Sequence, residues 1–303
     1  MSTDTTAGRN LPWAQVDVFA QRAYEGNMLA IFTDATGLTT EQMQALARET
    51  NLSETTFILP ADPAEEAADG VRVRIFTPDE ELPFAGHPTL GTASWLWANH
   101  SALRGAEVVK LNLNVGAIPV RFTPPQPGEV GVYGEMRQRD PEFLGTPDRA
   151  ALAAAINLSA DDLHPDLHPQ AVSTGLPFCI VPVRTVEALG RMRETPALPA
   201  LMASIGARFA FGITPVSDGT WRTRLPFRGG DDPATGSASG CAISYLVHHG
   251  AVPAEQPTVF HQGIEVHRPS VVHVRASLHD GTVTNVFVGG RTIPVAFGFF
   301  THG

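Results

Sequence analysis

Residues 82–100 have the sequence LPFAGHPTLGTASWLWANH, and this stretch decides the fold. Pro88 suits the first turn of a helix, and residues 89–98 are small or apolar on nearly every side. A helix that is apolar all round is buried rather than laid on a surface. The stretch therefore predicts a buried central helix over residues 88–99.

A second stretch of the same kind, GGDDPATGSASGCAISYLVHHG, occupies residues 229–250. It opens with Asp232-Pro233, continues with small residues, and ends at Gly250, which is typical of a helix end. The segments GHPTLGTAS and PATGSASGCA indicate a coarse internal duplication of the chain. A second central helix is predicted over residues 236–249.

Strand patterns surround both predicted helices. Alternating apolar and polar residues predict strands at 13–20 and 71–78, and residues 107–123 predict a β-hairpin. No GxGxxG sequence follows the first strand, which argues against a Rossmann domain. The predicted fold class is α+β, with two similar domains, each a curved, mostly antiparallel sheet or barrel wrapped around one central α-helix.

The length of 303 residues favours two domains, because single cores usually stop growing below that size. The Pro- and Gly-rich residues 124–128 are the best linker candidate. Whether the C-terminal strand 292–303 joins the N-terminal domain is left open. The predicted division is a disordered lead-in at 1–10, an N-terminal domain at 11–123 and a C-terminal domain at 124–291.

Composition excludes several partners. The net charge is −10 and no Lys/Arg-rich run is present, which argues against nucleic acid. No stretch approaches a membrane span or a signal peptide, so we expect a cytoplasmic protein without a membrane partner. The cysteines, Cys179 and Cys241, fit no metal-ligand spacing, which predicts two buried free thiols and no zinc site.

Both predicted helices open with small residues, at Gly86 and at Thr235-Gly236-Ser237. Open helix N-termini present unpaired N–H groups and a positive dipole end, so they bind anions. Two such ends directed at one cleft would bind a carboxylate. The glycines are equally suited to tight turns and close helix packing, and the residues alone leave both interpretations open.

Three titratable residues lie in suggestive places. Glu54 lies between a helix and an apolar strand, where a solvated surface carboxylate is the ordinary alternative. His87 lies between a glycine and a proline, which suits either a structural or an active histidine. Asp232 precedes a proline, as a helix N-cap does, and an N-cap aspartate can also face a site.

Five blocks of the chain are similar to the PhzF-like phenazine-biosynthesis family. They run in order from Val16 to Ser270, and NLSETTF and ELPFAGHPTLGTA are long and specific. The resemblance implies a diaminopimelate-epimerase-like fold with the active site between two similar domains, which agrees with the duplication. The blocks are VDVFAQRAYEGN, LARETNLSETTFIL, RIFTPDEELPFAGHPTLGTA, DDPATGSASG and QGIEVHRPS.

The resemblance also implies site residues. Asn27 is retained, although the family usually has Gly-Asn-Pro where this chain has Gly26-Asn27-Met28. The implied catalytic set is Glu54, His87, Asp232 and Ser237. The implied substrate-binding set is Asn27, Ser53, Gly86, Thr235 and Gly236.

The best-known family member isomerises trans-2,3-dihydro-3-hydroxyanthranilate in phenazine assembly. By analogy, Glu54 would move a proton from C3 to C1, and burial is expected to raise its pKa. The two helix N-termini and Ser237 would hold the substrate carboxylate, while His87 and Asp232 would bind its amino and hydroxyl groups. Such a shuttle needs no metal and no cofactor.

Three alternatives stay open. A two-thiol racemase of the same fold would carry a cysteine at the start of each central helix, but Cys241 lies about one turn further in. A relative acting on another small carboxylic acid would keep the same residues. A non-catalytic small-molecule or partner-binding protein is expected to have lost Glu54 or His87. The resemblance also implies a homodimer.

Overall fold

The computed structural model describes residues 9–227 and 229–302. Its helices are α1 (Thr40–Thr50), α2 (Pro63–Asp69), α3 (Gly86–Asn99), α4 (Arg149–Ala155), α5 (Val186–Arg191), α6 (Leu198–Ser204) and α7 (Gly236–His248), with 3-10 turns at Ala160–Asp162 and Ile264–Val266. None of these described helices is long and apolar enough to cross a membrane.

Eighteen strands complete the described structure. Residues 1–8 of the predicted lead-in lie outside the described residues, whereas Arg9 and Asn10 pair within the first strand, so the lead-in prediction is wrong for those two. The strands are β1 (Arg9–Val18), β2 (Asn27–Phe32), β3 (Thr55–Leu59), β4 (Val71–Phe76), β5 (Glu81–Leu82), β6 (Val108–Leu113), β7 (Gly116–Thr123), β8 (Val132–Arg137), β9 (Glu142–Phe143), β10 (Gln170–Ser173), β11 (Pro177–Pro182), β12 (Phe209–Pro215), β13 (Trp221–Arg224), β14 (Pro226–Phe227), β15 (Gly230–Asp231), β16 (Thr258–Gln262), β17 (Ser270–His279) and β18 (Thr282–His302).

Eight strands close a barrel around α3. Their order is β1-β2-β3-β4-β6-β7-β8-β18, and β18 pairs back onto β1. Neighbours in this ring are antiparallel except for the parallel pairs β2–β3 and β4–β6. Every residue from Gly86 to Ser94 is buried, because strands surround the helix on all sides. The predicted buried helix is confirmed, and it begins at residue 86 rather than 88.

A second sheet wraps around α7. Its strand order is β18-β17-β16-β13-β12-β11-β10-β9, with parallel pairs β11–β12 and β13–β16. The helix packs against strands near both ends of this strand order, namely β17 and β18 at one end and β10 and β11 near the other. Residues 238–247 of the helix are all buried. The predicted α+β fold, with a curved sheet around each of two central helices, is confirmed.

Strand β18 belongs to both sheets. It pairs in turn with β17, with β8 and, from Thr292 onward, with β1. The described part of the predicted C-terminal strand, 292–302, is the second half of this single strand of 21 residues. The domain division at residue 124 stays a prediction, and sheet pairing runs across it because β8 pairs with β7.

The connection after α1 carries two of the predicted site residues. Thr39 caps α1 in a reciprocal capping box with Gln42. The helix ends at Asn51, which adopts the left-handed conformation with φ 52° and turns the chain away from the helix axis. Ser53 and Glu54 then lie in the short link that leads into β3.

Candidate active site

The N-termini of α3 and α7 meet at a cavity of about 760 Å³. A Cβ on Gly86 would lie 3.5 Å from the backbone nitrogen of Ser237 and 3.7 Å from the carbonyl carbon of Gly236. The residues before the two helices, Ala85 and Thr235, make no side-chain hydrogen bond to the helix ends. The two helix ends therefore offer open N–H groups to an anion from adjacent positions.

Residues from both halves of the chain converge on this cavity. Asn27 is not among the described residues that line it. Its Nδ2 instead donates to Asp232 Oδ1 and to the carbonyl oxygen of Ala234, each at 2.9 Å. Asn27 therefore holds the Asp232 carboxyl in place by a hydrogen bond, and its role as a direct substrate contact stays a prediction. The predicted site residues that line the cavity are Ser53, Glu54, Gly86, His87, Asp232, Thr235, Gly236 and Ser237.

Glu54 and His87 form a close pair. The distance from His87 Nδ1 to Glu54 Oε2 is 3.5 Å, and the glutamate side chain is 17% exposed. Burial lowers the pKa of His87 to about 3, against a smaller opposing effect of the Met28 backbone, so its imidazole is neutral at pH 7. Nε2 of His87 has no hydrogen-bond partner among the described residues. A buried polar atom without a partner is uncommon in proteins, which makes this nitrogen a candidate for contact with a ligand.

Asp232 is held by three hydrogen bonds, from Asn27, from Thr235 and from the backbone N–H of Ala234. Asn27 donates to Oδ1, and the Thr235 hydroxyl donates to Oδ2 at 2.6 Å. Asp232 lines the cavity and is half-buried, and burial raises the pKa of its carboxyl to about 6 although all three hydrogen bonds lower it. The neighbouring Asp231 raises the pKa of Asp232 slightly, although Asp231 pairs with Arg224 at 3.0 Å.

The interpretation of Asp232 as a helix N-cap is wrong. The N-cap residue of α7 is Thr235, three residues later. The chain turns between the two residues, so the Asp232 carboxylate meets the Thr235 side chain rather than the N–H groups of the helix. Those N–H groups thus stay open toward the cavity.

Two glutamines in the site were missed from the sequence. Gln138 lines the cavity, donates to the carbonyl oxygen of Gly236 at 2.9 Å and accepts from Thr174 Oγ1 at 2.6 Å. Gln262 lies at the end of β16 and contacts the turn between Asp232 and Thr235. No local sequence pattern points to Gln138. Gln262 is the first residue of the block QGIEVHRPS, and it could have been proposed as a site residue from that block.

The rest of the cavity wall is apolar and aromatic, with arginines beside it. The ring of Phe209 lies 5.7 Å from those of Phe178 and Phe227, and the Arg208 guanidinium lies 5.3 Å from the Phe209 ring centre. A planar apolar group with a negative charge would suit this wall. Arginines that line the cavity are Arg137, Arg139 and Arg208.

The two cysteines do not support a two-thiol mechanism. Both are free and buried, as the sequence predicts. Burial raises the pKa of Cys179 to about 12 and that of Cys241 to about 11. Neither is among the described residues that line the cavity. Proton transfer at carbon by cysteine needs a thiolate at the substrate, and these thiols stay protonated away from it.

Two sheets, each around a central helix, and a shared cavity at both helix N-termini define the class of proteins with a diaminopimelate-epimerase-like fold. Within that class, the chain belongs to the phenazine biosynthesis-like protein family, whose model matches residues 16–298. The predicted family is confirmed, and the chain is an isomerase.

Relatives of the chain carry isomerase names. An uncharacterized isomerase of Mesorhizobium japonicum is 33% identical, covering 93% of this chain and 96% of its own length. A trans-2,3-dihydro-3-hydroxyanthranilate isomerase of Pseudomonas fluorescens is 34% identical, covering 82% and 84%. Among solved structures, a predicted epimerase of Pseudomonas aeruginosa is 38% identical with a TM-score of 0.81, covering 97% of this chain and all of its own.

Proposed function

We propose that this isomerase moves a proton between carbons of a small carboxylic acid, with Glu54 as proton carrier and without a metal or cofactor. The observation that carries the proposal is the contact between Glu54 and neutral His87, 3.5 Å apart in a cavity that two helix N-termini face. A carboxylate beside a carbon acid is a competent general base, and its protonated form is the matching acid.

The helix N-termini bind the substrate carboxylate in this proposal. Backbone N–H groups at Gly86 and Gly236 and the hydroxyl of Ser237 provide donors without adding a titratable group. Because these donors lie next to each other, they fix the position of the substrate carboxylate. The distance from Glu54 to the neighbouring substrate carbon is thereby fixed as well. Substrate position is thus set by the backbone of two buried helices rather than by mobile side chains.

The proton moves within one face of the substrate. Glu54 takes it from one carbon, and the electron pair delocalises through the adjacent unsaturated system. The same carboxyl returns the proton to a second carbon, so the reaction balances without a co-reactant. His87 Nε2 and the carboxylate of Asp232 hydrogen-bond the substrate's polar groups and stabilise the charge that develops between the two steps.

Our preferred substrate is trans-2,3-dihydro-3-hydroxyanthranilate, with transfer from C3 to C1, as in phenazine biosynthesis. Support comes from three Pseudomonas isomerases of that name, each 34% identical to this chain. The substrate's carboxylate, amino and hydroxyl groups suit the helix N-termini, His87 and Asp232 respectively as a set of donors and acceptors.

A second candidate is a larger carboxylic acid. The cavity of about 760 Å³ lies in the range that holds drug-sized ligands, and a single six-membered ring leaves much of it unfilled. Phe178, Phe209 and Phe227 form an aromatic wall that such a ligand would cover. The same proton transfer by Glu54 would serve this substrate.

The test is incubation of wild type, Glu54→Gln and Glu80→Gln with trans-2,3-dihydro-3-hydroxyanthranilate, followed by absorbance. Glu80 also lines the cavity, so its variant is a matched control for lost charge. We expect wild type and Glu80→Gln to consume the substrate and Glu54→Gln to fail. If wild type is inert, the preferred substrate is wrong, and a screen of larger acids by deuterium uptake follows.

A homodimer in the cytoplasm is our preferred state, and sedimentation of the purified chain tests the dimer. The alternative of a non-catalytic binding protein is not supported, because relatives that match over most of the chain are named isomerases.

A further inference from the structure

Gln262 is buried completely and contacts the turn that carries Asp232. Its Nε2 donates to the backbone carbonyl of Asp232 at 2.8 Å and to the hydroxyl oxygen of Thr235 at 2.9 Å. Its Oε1 accepts from the backbone N–H of Thr235 at 3.1 Å and, at 3.5 Å, from the Thr223 hydroxyl. One side chain therefore closes the turn from Asp232 to Thr235 at both ends.

The orientation of the Gln262 amide is fixed by its backbone partners. The carbonyl of Asp232 can only accept a hydrogen bond, and the N–H of Thr235 can only donate one. Nε2 must therefore face the carbonyl, and Oε1 must face the N–H. The second hydrogen of Nε2 then points at the Thr235 hydroxyl oxygen.

This orientation sets the direction of the next hydrogen bond. The Thr235 hydroxyl has one hydrogen, and its oxygen already accepts from Gln262. Its hydrogen is therefore directed to Asp232 Oδ2, 2.6 Å away. The other oxygen, Oδ1, receives a hydrogen from Asn27, whose Nδ2 is identified because it also bonds the carbonyl of Ala234.

We propose that Gln262 is a positioning residue that fixes the direction of the Thr235 hydroxyl and so keeps Asp232 a hydrogen-bond acceptor on both oxygens. The inference rests on the proposed place of Asp232 in the active site. In this arrangement Asp232 meets the substrate as a carboxylate that accepts hydrogen bonds from its amino or hydroxyl groups. Without Gln262, the Thr235 hydroxyl is free to turn away.

The hydrogen bonds that run from Gln262 to Thr235 and from Thr235 to Asp232 form a relay. This relay favours the charged form of Asp232, whereas the surroundings favour its protonated form. Burial favours the protonated form of Asp232, and the adjacent Asp231, paired with Arg224, adds to that preference. The hydrogen bonds from Thr235, from Asn27 and from the backbone N–H of Ala234 favour the carboxylate. The other charged or titratable side chains that line the same cavity are Glu54, Glu80, His87, Arg137, Arg139 and Arg208.

The direct test is titration of the Asp232 carboxyl by carbon-13 NMR in aspartate-labelled protein, with Asp232→Asn identifying its signal. Gln262→Met keeps the length of the side chain but loses its hydrogen bonds. We expect the pKa of Asp232 to rise by about one unit, because a directed bond to a charged group is lost. Thr235→Val is expected to give the same rise, and the double variant no further rise.

The matched control is Thr223→Val, which removes the weaker partner of Gln262 and leaves the relay intact. An unchanged Asp232 pKa in Gln262→Met, together with a lower Tm, would make Gln262 purely structural and overturn the proposal. If Gln262→Met does not fold, Thr235→Val decides. An unchanged pKa there overturns the relay, and a raised pKa that Thr235→Ser restores supports it.

The titration needs no substrate, so it stands whether or not the proposed isomerisation is observed. Where turnover is observed, the lower limb of the pH profile of kcat/KM should move upward with the same variants. If the Asp232 pKa moves and the limb does not, the relay stands and the assignment of Asp232 to the reaction is wrong.

Discussion

His87 lies in a protein environment that holds it neutral. Burial lowers its pKa from 6.5 to about 3, so below pH 6.5 the unfolded chain binds a proton that the folded chain does not. We expect this group to cost up to about 2 kcal/mol of unfolding free energy between pH 7 and pH 5. His87→Gln should lose less stability over that interval than wild type does, as measured by urea unfolding at the two pH values.

Asp232 has the opposite linkage, because burial raises its pKa from 3.8 to about 6. Its own contribution to stability falls as the pH rises from about 4 to 6. Activity should behave differently, since the proposed role needs the carboxylate. We expect kcat/KM to rise with pH through about 6, and Asp232→Asn to show low activity without that limb. A limb that persists in Asp232→Asn would assign it to another group.

Much of the candidate site was predictable because its residues lie in contiguous blocks. Glu54 and His87 were proposed from their blocks, and the structure brings them within 3.5 Å. Gln138 and Gln262 were missed because each acts through contacts with residues far along the chain. The N-cap interpretation of Asp232 failed because the turn before α7 is longer than a simple cap requires.

Helix α3 packs against the barrel wall without room for a side chain at Gly91. A Cβ at that position would lie 2.6 Å from Leu29 Cδ2 and 2.7 Å from Val18 Cγ2. We expect Gly91→Ala to destabilise the protein by about 1–3 kcal/mol in urea unfolding, because overpacking outweighs the gain in helix propensity.

The matched control for Gly91→Ala is Gly190→Ala in α5, where no described atom beyond the helix's own backbone and the adjacent residues lies within 4 Å of the added Cβ. That substitution should be neutral or slightly stabilising, because alanine favours helix more than glycine does. Equal effects of the two substitutions would mean that the barrel around α3 has room for an added methyl group. The position of α3 would then not depend on the close contact of Gly91 with Leu29 and Val18.

The whole-molecule architecture was predictable to the level of two central helices and their surrounding strands. The two buried helices follow from their lack of a polar face. The partners of β18 did not follow, because strand pairing depends on contacts distant in sequence and on burial at both sheet faces. The sequence indicated only that the two halves are similar. The pairing of β18 with β1, β8 and β17 shows how they are joined.

The central claim is that a single carboxylate carries the proton between two carbons. The most direct measurement is the rate of deuterium entry at the receiving carbon, followed by NMR in D₂O with an acid that wild type turns over. We expect Glu54→Gln to lower this rate by about 100-fold or more and Glu80→Gln to leave it near the wild-type value. A wild-type rate in Glu54→Gln would contradict the account and leave another group as the proton carrier.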